Sequence, residues 1–392
     1  MSLYLVKNGE VFSPAYLGRR DILLGGHKVL AIAEPGSLLL RGLAVTEIDA
    51  AEMKVVPGFV DSLVHVTGGG GEGGFTSRTP EMQLSEAIIG GTTTLVGVLG
   101  TDSITRTLAN LLAKARALDE EGLTCLCHTG SYQVPVKTLT GSIQEDILLV
   151  KEFIGVGEVA IADHRSSQPT VQELARIAAE ARVGGMLSGK AGIVSVHVGD
   201  GSGKLDLLEA VAESTDIPIS QFYPTHINRS RALLEAGKDF TRRGGVIDLT
   251  TSTTSQILEL GEVAASEALA ELLAEGVDPM MMTMSSDGNA SLPSFNARGE
   301  LVELKVGRPA SLHASFAEAV NKYHADFTSV LTTITSAPAK LLKLPNKGRL
   351  HPGADADLVL LEKDGLAVNS VISKGRLMMY DRQVVVKGVF EL

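Results

Sequence analysis

The sequence predicts an α/β fold: a (β/α)₈ barrel of the TIM type with a small β-sandwich built from both chain termini. Three observations carry this. Eight apolar strand-like runs alternate with amphipathic stretches across about 290 residues, the pattern of a closed parallel barrel. The two ends read alike, as short β-branched runs broken by turn residues. Glycine is frequent, 42 of 392 residues, as many strand–loop–helix junctions require.

At the N-terminus, LYLVKNGEVF and RDILLGGHKVLAIAE carry hairpin signals at Asn8-Gly9 and Gly25-Gly26. At the C-terminus, ADLVLLEKDG, VNSVISKGRLMMYD and RQVVVKG repeat the pattern. Neither end holds enough apolar residues for a core alone. Together, residues 1–54 and 346–392 are expected to make one sandwich, with the barrel over 55–345.

The eight runs fall at 55–66, 93–99, 123–128, 158–163, 193–198, 218–226, 245–250 and 281–287. Between them, Val171, Leu174, Ile177 and Ala178 sit at helical spacing in 171–182, with Pro169 expected in the first turn beside Thr170. Residues 262–276 repeat this with Ala and Leu. Met280, Met281, Met282 and Met284 read as barrel filling. A doubly wound sheet is the alternative fold, but Gly68 to Gly71 lack the G-x-G-x-x-G spacing.

Composition narrows the function classes. Hydrophobic residues at 44% and charged residues at 21% describe a globular chain. A net charge of −11 repels phosphate backbones, so nucleic acid is not an expected partner. No run reaches the 18 apolar residues of a membrane span. Lys7 and Glu10 arrive too early for a secretory signal core. Cys125 and Cys127 cannot frame a disulfide scaffold and read as reduced strand residues, so the expected location is cytoplasmic.

In a barrel, chemistry sits where strands end. The first run ends at His65, the fifth at His197, the sixth at His226 with Arg229 beyond, and the eighth at Asp287. The fourth carries Glu158 at its start and Asp163, His164 and Arg165 at its end. One such histidine is most simply a core residue. Three at one barrel mouth with an acid on the eighth strand point to a divalent ion and a water that Asp287 deprotonates.

PGFVDSLVH, the loop GGGGEGGFTSRTPE, GTDSITR, IADHRSSQP, PTHINR, SSDGN and the late HPGADADLVLL resemble the amidohydrolase superfamily, and within it the barrel-type β-aspartyl (isoaspartyl) dipeptidases. The resemblance covers nearly the whole chain. It implies metal-dependent hydrolysis of the amide bond of β-aspartyl dipeptides, with Asp287 as general base and then acid. It implies metal ligands His65, Glu158, His197, His226 and Asp287. It places Glu72 on the substrate's ammonium, Tyr132 on the scissile carbonyl, Arg165 and Arg229 on carboxylates, and Ser291 in the pocket. The substrate's one ammonium and two carboxylates match one acid and two arginines. A homo-oligomer is also expected.

Two positions depart from the family pattern. Leu63 stands where the family has a metal-binding histidine, and Glu158 where it has a carboxylated lysine. The expected cofactor is zinc, one or two ions, with one tightly held ion at Glu158, His197 and His226 favoured. His128, ending the third run, is a candidate replacement ligand or a core residue. A related amidohydrolase acting on a cyclic amide or an N-acyl amino acid, and a binding protein impaired by Leu63, remain alternatives.

Overall fold

The computed structural model describes residues 3–295 and 301–391. Barrel strands β1 (Phe59–Val64), β2 (Thr92–Gly97), β3 (Thr124–Thr129), β4 (Phe153–Ile161), β5 (Ile193–Val198) and β6 (Phe222–Thr225) pair in sequence order in one parallel sheet. Strands β7 (Ile247–Thr250) and β8 (Met282–Ser285) form a second parallel pair. Asp287 N donates to Leu63 O at 3.1 Å and His65 N to Gly288 O at 2.8 Å, which joins β8 to β1. Between β6 and β7 the join is made by Asn228: its amide accepts from Thr250 N at 2.8 Å and donates to Thr250 O at 3.0 Å.

Both termini enter one nine-stranded sheet. Met53–Pro57 lies between Leu3–Phe12 and the antiparallel Leu358–Glu362, so the two ends of the chain meet at its centre. Its core is Val6, Val11, Ile22, Leu24, Val55, Leu358, Leu360 and Ile372. The run expected as one strand over 55–66 is therefore two, divided at Gly58. Gly25-Gly26 turns a hairpin between Tyr16–Gly25 and Lys28–Ala33. Asn8-Gly9 does not: it lies inside Leu3–Phe12, at a register shift between Val6 and Gly9. Asp21 accepts from the Asn8 amide at 2.9 Å there. A Cβ at Gly9 would stand 2.4 Å from Val55, so the bulge seats one strand against its neighbour.

Strand alternation sorts the barrel. Leu95, Cys125, Cys127, Val194, Val196, Met282 and Met284 face the helices in the main core. Met282 and Met284 thus fill the strand–helix layer rather than the barrel centre. Met280 and Met281 sit half-buried in the turn Pro279–Met281 before β8. The interior holds Val60, Val96, Ile154, Ile193 and Tyr223, plugged by Leu342. Within the barrel, Asp248 accepts hydroxyl hydrogen bonds from Tyr223 at 2.9 Å, Thr225 at 2.7 Å and Thr283 at 2.6 Å, and one from Ser285. Burial pushes its pKa up to about 6, and these donors restrain the rise.

The helix expected over 171–182 runs Val171–Ser188. Thr170 and Glu173 form a reciprocal capping box, which satisfies two free amides of the first turn. Pro169 therefore precedes the cap instead of occupying the first turn. The helix ends at Gly189, whose φ of 72° suits a residue without a side chain. Among the described residues no helix is long and apolar enough to cross a membrane.

Candidate metal centre and binding cavity

Strand β4 begins at Phe153, so Glu158 lies in its second half, not at its start. This places the carboxylate inside the barrel mouth. Gly157 beside it has no room for a side chain: a Cβ would stand 2.5 Å from Ser195 O on β5. Close approach of the two strands there brings Glu158 and His197 together.

Glu158 is fully buried, and neither carboxylate oxygen has a hydrogen-bond partner. His197 Nδ1 is 3.6 Å and His226 Nε2 3.5 Å from Oε1, while His65 Nε2 is 3.5 Å from Oε2. Burial would raise the Glu158 pKa, but the surrounding imidazoles hold its carboxyl well below the usual range. Ligand atoms of Glu158, His197 and His226 lie within 4.8 Å of one another, all on buried residues. An orphaned carboxylate costs several kcal/mol, roughly, unless a cation or donor meets it. Two imidazole nitrogens and one carboxylate oxygen fit a divalent transition ion such as zinc.

Outer partners aim both histidines. Asp163 Oδ2 is 3.0 Å from His197 Nε2, which leaves Nδ1 for the Glu158 side. Thr250 Oγ1 is 2.6 Å from His226 Nδ1, which leaves Nε2 for the same side. Burial pushes the His226 pKa down to about 4, so its imidazole is neutral at pH 7, as a ligand must be. His226 and Asp287 both hold left-handed backbone, at φ 65° and 50°. Such conformations cost about 1–3 kcal/mol each and concentrate at functional sites.

His65 and Asp287 form a second group. His65 Nε2 is 3.1 Å from Asp287 Oδ1. Burial would raise the Asp287 pKa, but His65 draws it below the ordinary value. Leu63 is fully buried; its carbonyl accepts from Asp287 N, and its side chain supplies no donor. His128 is fully buried with both ring nitrogens unpartnered, and burial pushes its pKa down to about 4. It stands against Gly155, outside the Glu158–His197–His226 cluster.

A cavity of about 420 Å³ opens over this centre. His65, Glu72, Tyr132, Arg165, His197, His226, Arg229, Asp287 and Ser291 all line it, above Glu158. Tyr132 is placed by the loop after β3, which Asp146 pins by accepting from Thr140 N and Leu139 N, both at 2.8 Å. The glycine loop that carries Glu72 is held by Arg106, which donates to Gly69 O at 2.9 Å and Thr79 O at 3.0 Å. Arg229 follows Ile227 and Asn228 in a short 3-10 turn after β6.

The two arginines differ in how free they are. Arg165 gives Nε and Nη2 to Asp163 at 3.0 and 2.7 Å, and its Nη1 stands 3.4 Å from Glu72. The guanidinium of Arg229 has no hydrogen bond or ion pair among the described residues. Sequence reasoning did not single out the Asp163–His197 contact, Thr250 or Glu262, which also lines the cavity. Asp163 lies in IADHRSSQP, and its place at the end of the fourth run is the signal that marks it. Glu262 follows a short loop helix with no motif to mark it.

The amidohydrolase family model matches residues 54–378. The β-aspartyl dipeptidase of Fervidobacterium islandicum AW-1, solved with a β-Asp-Leu dipeptide, is 45% identical over 97% of this chain and 98% of its own, with a TM-score of 0.89. Dihydroorotase from Lactobacillus johnsonii is 24% identical over 91% of this chain and 88% of its own. Adenine deaminase 2 from Shouchella clausii is 40% identical over 55 residues, which are 14% of this chain and only 10% of that protein.

Proposed function

The chain belongs to the amidohydrolase family, and from that premise we propose that it hydrolyses the amide bond of β-aspartyl dipeptides. The observation that carries this reading is the charge layout of one cavity. Glu72, Arg165 and the unpartnered Arg229 share it with the buried Glu158–His197–His226 cluster. The substrate's ammonium pairs with Glu72, and its two carboxylates pair with the arginines. A Cβ added to Gly70 would stand 3.0 Å from that of Ser291, so Ser291 packs closely against the Glu72 loop where it lines that end of the pocket.

Zinc held by Glu158, His197 and His226 would polarise the scissile carbonyl and lower the pKa of the attacking water. Asp287 takes the water's proton on its carboxylate and hands it to the leaving amine nitrogen. His65 beside it keeps that carboxylate ionised before the step. Tyr132 donates to the carbonyl oxygen as charge builds there. Burial and the nearby Glu158 charge raise the Tyr132 pKa well above its ordinary value, so the hydroxyl stays a donor.

Unbridged, buried Cys125 and Cys127 support a cytoplasmic setting. Exposed Leu148, Leu149, Val183, Met186 and Leu187, on the adjoining helices Ile143–Leu149 and Val171–Ser188, supply an apolar face that supports a homo-oligomer.

The test presents β-Asp-Leu, α-Asp-Leu and N-acetyl-β-Asp-Leu to the zinc-loaded protein. The expected result is cleavage of the first alone. Equal cleavage of the acetylated peptide would remove the role given to Glu72 and with it the dipeptidase reading.

A further inference from the structure

Glu262 lines the cavity together with Arg229, Ile257 and Leu260. Its Oε1 is buried and has no hydrogen-bond partner. Burial pushes the Glu262 pKa up; the Thr253 hydroxyl and, after it, the Arg229 guanidinium favour its charge, while the nearby Asp287 opposes it. Arg229, however, is the free guanidinium of the pocket. When a substrate carboxylate takes Arg229, that cation is neutralised, and Glu262 is left as a half-buried carboxylate with no counter-charge of its own. A neutral leaving residue would leave this imbalance in place.

We propose that Glu262 selects leaving residues with a cationic side chain, lysine or arginine. This deepens the dipeptidase reading and rests on it. Ile257 and Leu260 give the aliphatic stem an apolar wall, and Glu262 meets the charged head. The ammonium or guanidinium supplies the donors that Oε1 lacks. Glu72 does not compete for the side chain, because the substrate's own α-ammonium is given to it at the other end of the cavity.

The experiment compares kcat/KM for β-Asp-Lys, β-Asp-Leu and β-Asp-Glu with the zinc-loaded enzyme. The expected order is Lys above Leu above Glu, with about tenfold between the first two, the scale of one partly buried charge pair. The preference should shrink as salt is raised. Glu262→Gln should remove the ratio between β-Asp-Lys and β-Asp-Leu, and Glu262→Lys should turn it toward β-Asp-Glu. A native enzyme that prefers β-Asp-Leu, or a Glu262→Gln enzyme that keeps the native ratio, overturns this inference alone. Failure to cleave any of the three overturns the dipeptidase reading, and this inference falls with it.

Discussion

The hydroxyl of Tyr132 lies 2.7 Å from Nδ1 of His197, the nitrogen that faces Glu158. Because Nε2 of the same ring is held by Asp163, Nδ1 carries the lone pair, and Tyr132 donates into it. A metal ion held by Glu158, His197 and His226 would therefore compete with the tyrosine hydroxyl for one lone pair. Displaced from that nitrogen, the hydroxyl would be free to serve the substrate carbonyl. Metal loading and positioning of the proposed oxyanion donor would thus be coupled through a single atom.

Tyr132→Phe should separate these two effects. Removing one neutral hydrogen bond that competes with the ion should tighten zinc binding by up to about tenfold. Loss of the carbonyl donor should lower turnover by about 10²–10³. Chelator competition measures the first and steady-state kinetics the second. Weaker zinc binding in the variant would mean that Tyr132 supports the site instead of competing for it.

Asp163→Asn tests the outer support of His197. Asp163 accepts from both His197 and Arg165, so one carboxylate steadies a proposed ligand and a proposed substrate contact. An amide at that place supplies one acceptor and no charge. Zinc affinity should fall by about 10–100-fold. KM should rise as well, because Arg165 loses the anchor that sets its direction. A variant with native zinc affinity would show that the Asp163 contact does not fix the ring.

Much of this layout is legible in the linear sequence because barrel topology gathers residues that end strands. His65, His197, His226 and Asp287 are far apart in the chain, yet each terminates a run, and all four line one cavity. What the sequence hides is set by neighbours across space. Asn8-Gly9 carries a hairpin signal but forms a bulge, because Asp21 binds the Asn8 amide and Val55 fills the space beside Gly9. Strand β4 starts at Phe153, ahead of the run over 158–163, and its earlier half is hidden in the sequence by Gly155 and Gly157, which weaken the apolar pattern. Glu262 has no motif, and the groups that favour its charge, Thr253 and Arg229, come from the loops after β7 and β6.

His128 sets an acid limit on the metal-free fold. Its folded pKa of about 4 lies below the ordinary histidine value near 6.5. Between those values the unfolded chain holds a proton that the folded chain lacks. Stability is therefore full above about pH 6.5 and falls as pH drops toward 4, by on the order of 3 kcal/mol for this residue. His128→Leu should raise metal-free stability and flatten the loss over that window, because the unpartnered ring nitrogens are replaced by apolar carbon. Urea unfolding at several pH values between 4 and 7 checks this. A destabilised variant would mean that water or another group satisfies the ring.

Leu63 bears on metal number. The group His65, Glu158 and Asp287 is already gathered, with His65 Nε2 at 3.5 Å from Glu158 and 3.1 Å from Asp287. It offers one imidazole and two carboxylates, and Leu63 adds no donor. Glu158, His197 and His226 form the tighter cluster. After mild dialysis the native chain should retain about one zinc, the number that one closed donor set holds. Leu63→His should move retained zinc toward about two per chain by adding an imidazole beside the His65–Asp287 pair. Leu63→Ala should leave the count near one, since it removes bulk and adds no ligand. Bicarbonate during zinc loading should change none of these counts, because Glu158 carries its carboxylate without CO₂. Metal analysis of the three proteins under identical dialysis decides the matter. Two retained ions in the native chain would refute the one-ion reading and make His128, buried with two unpartnered nitrogens, the next ligand to replace.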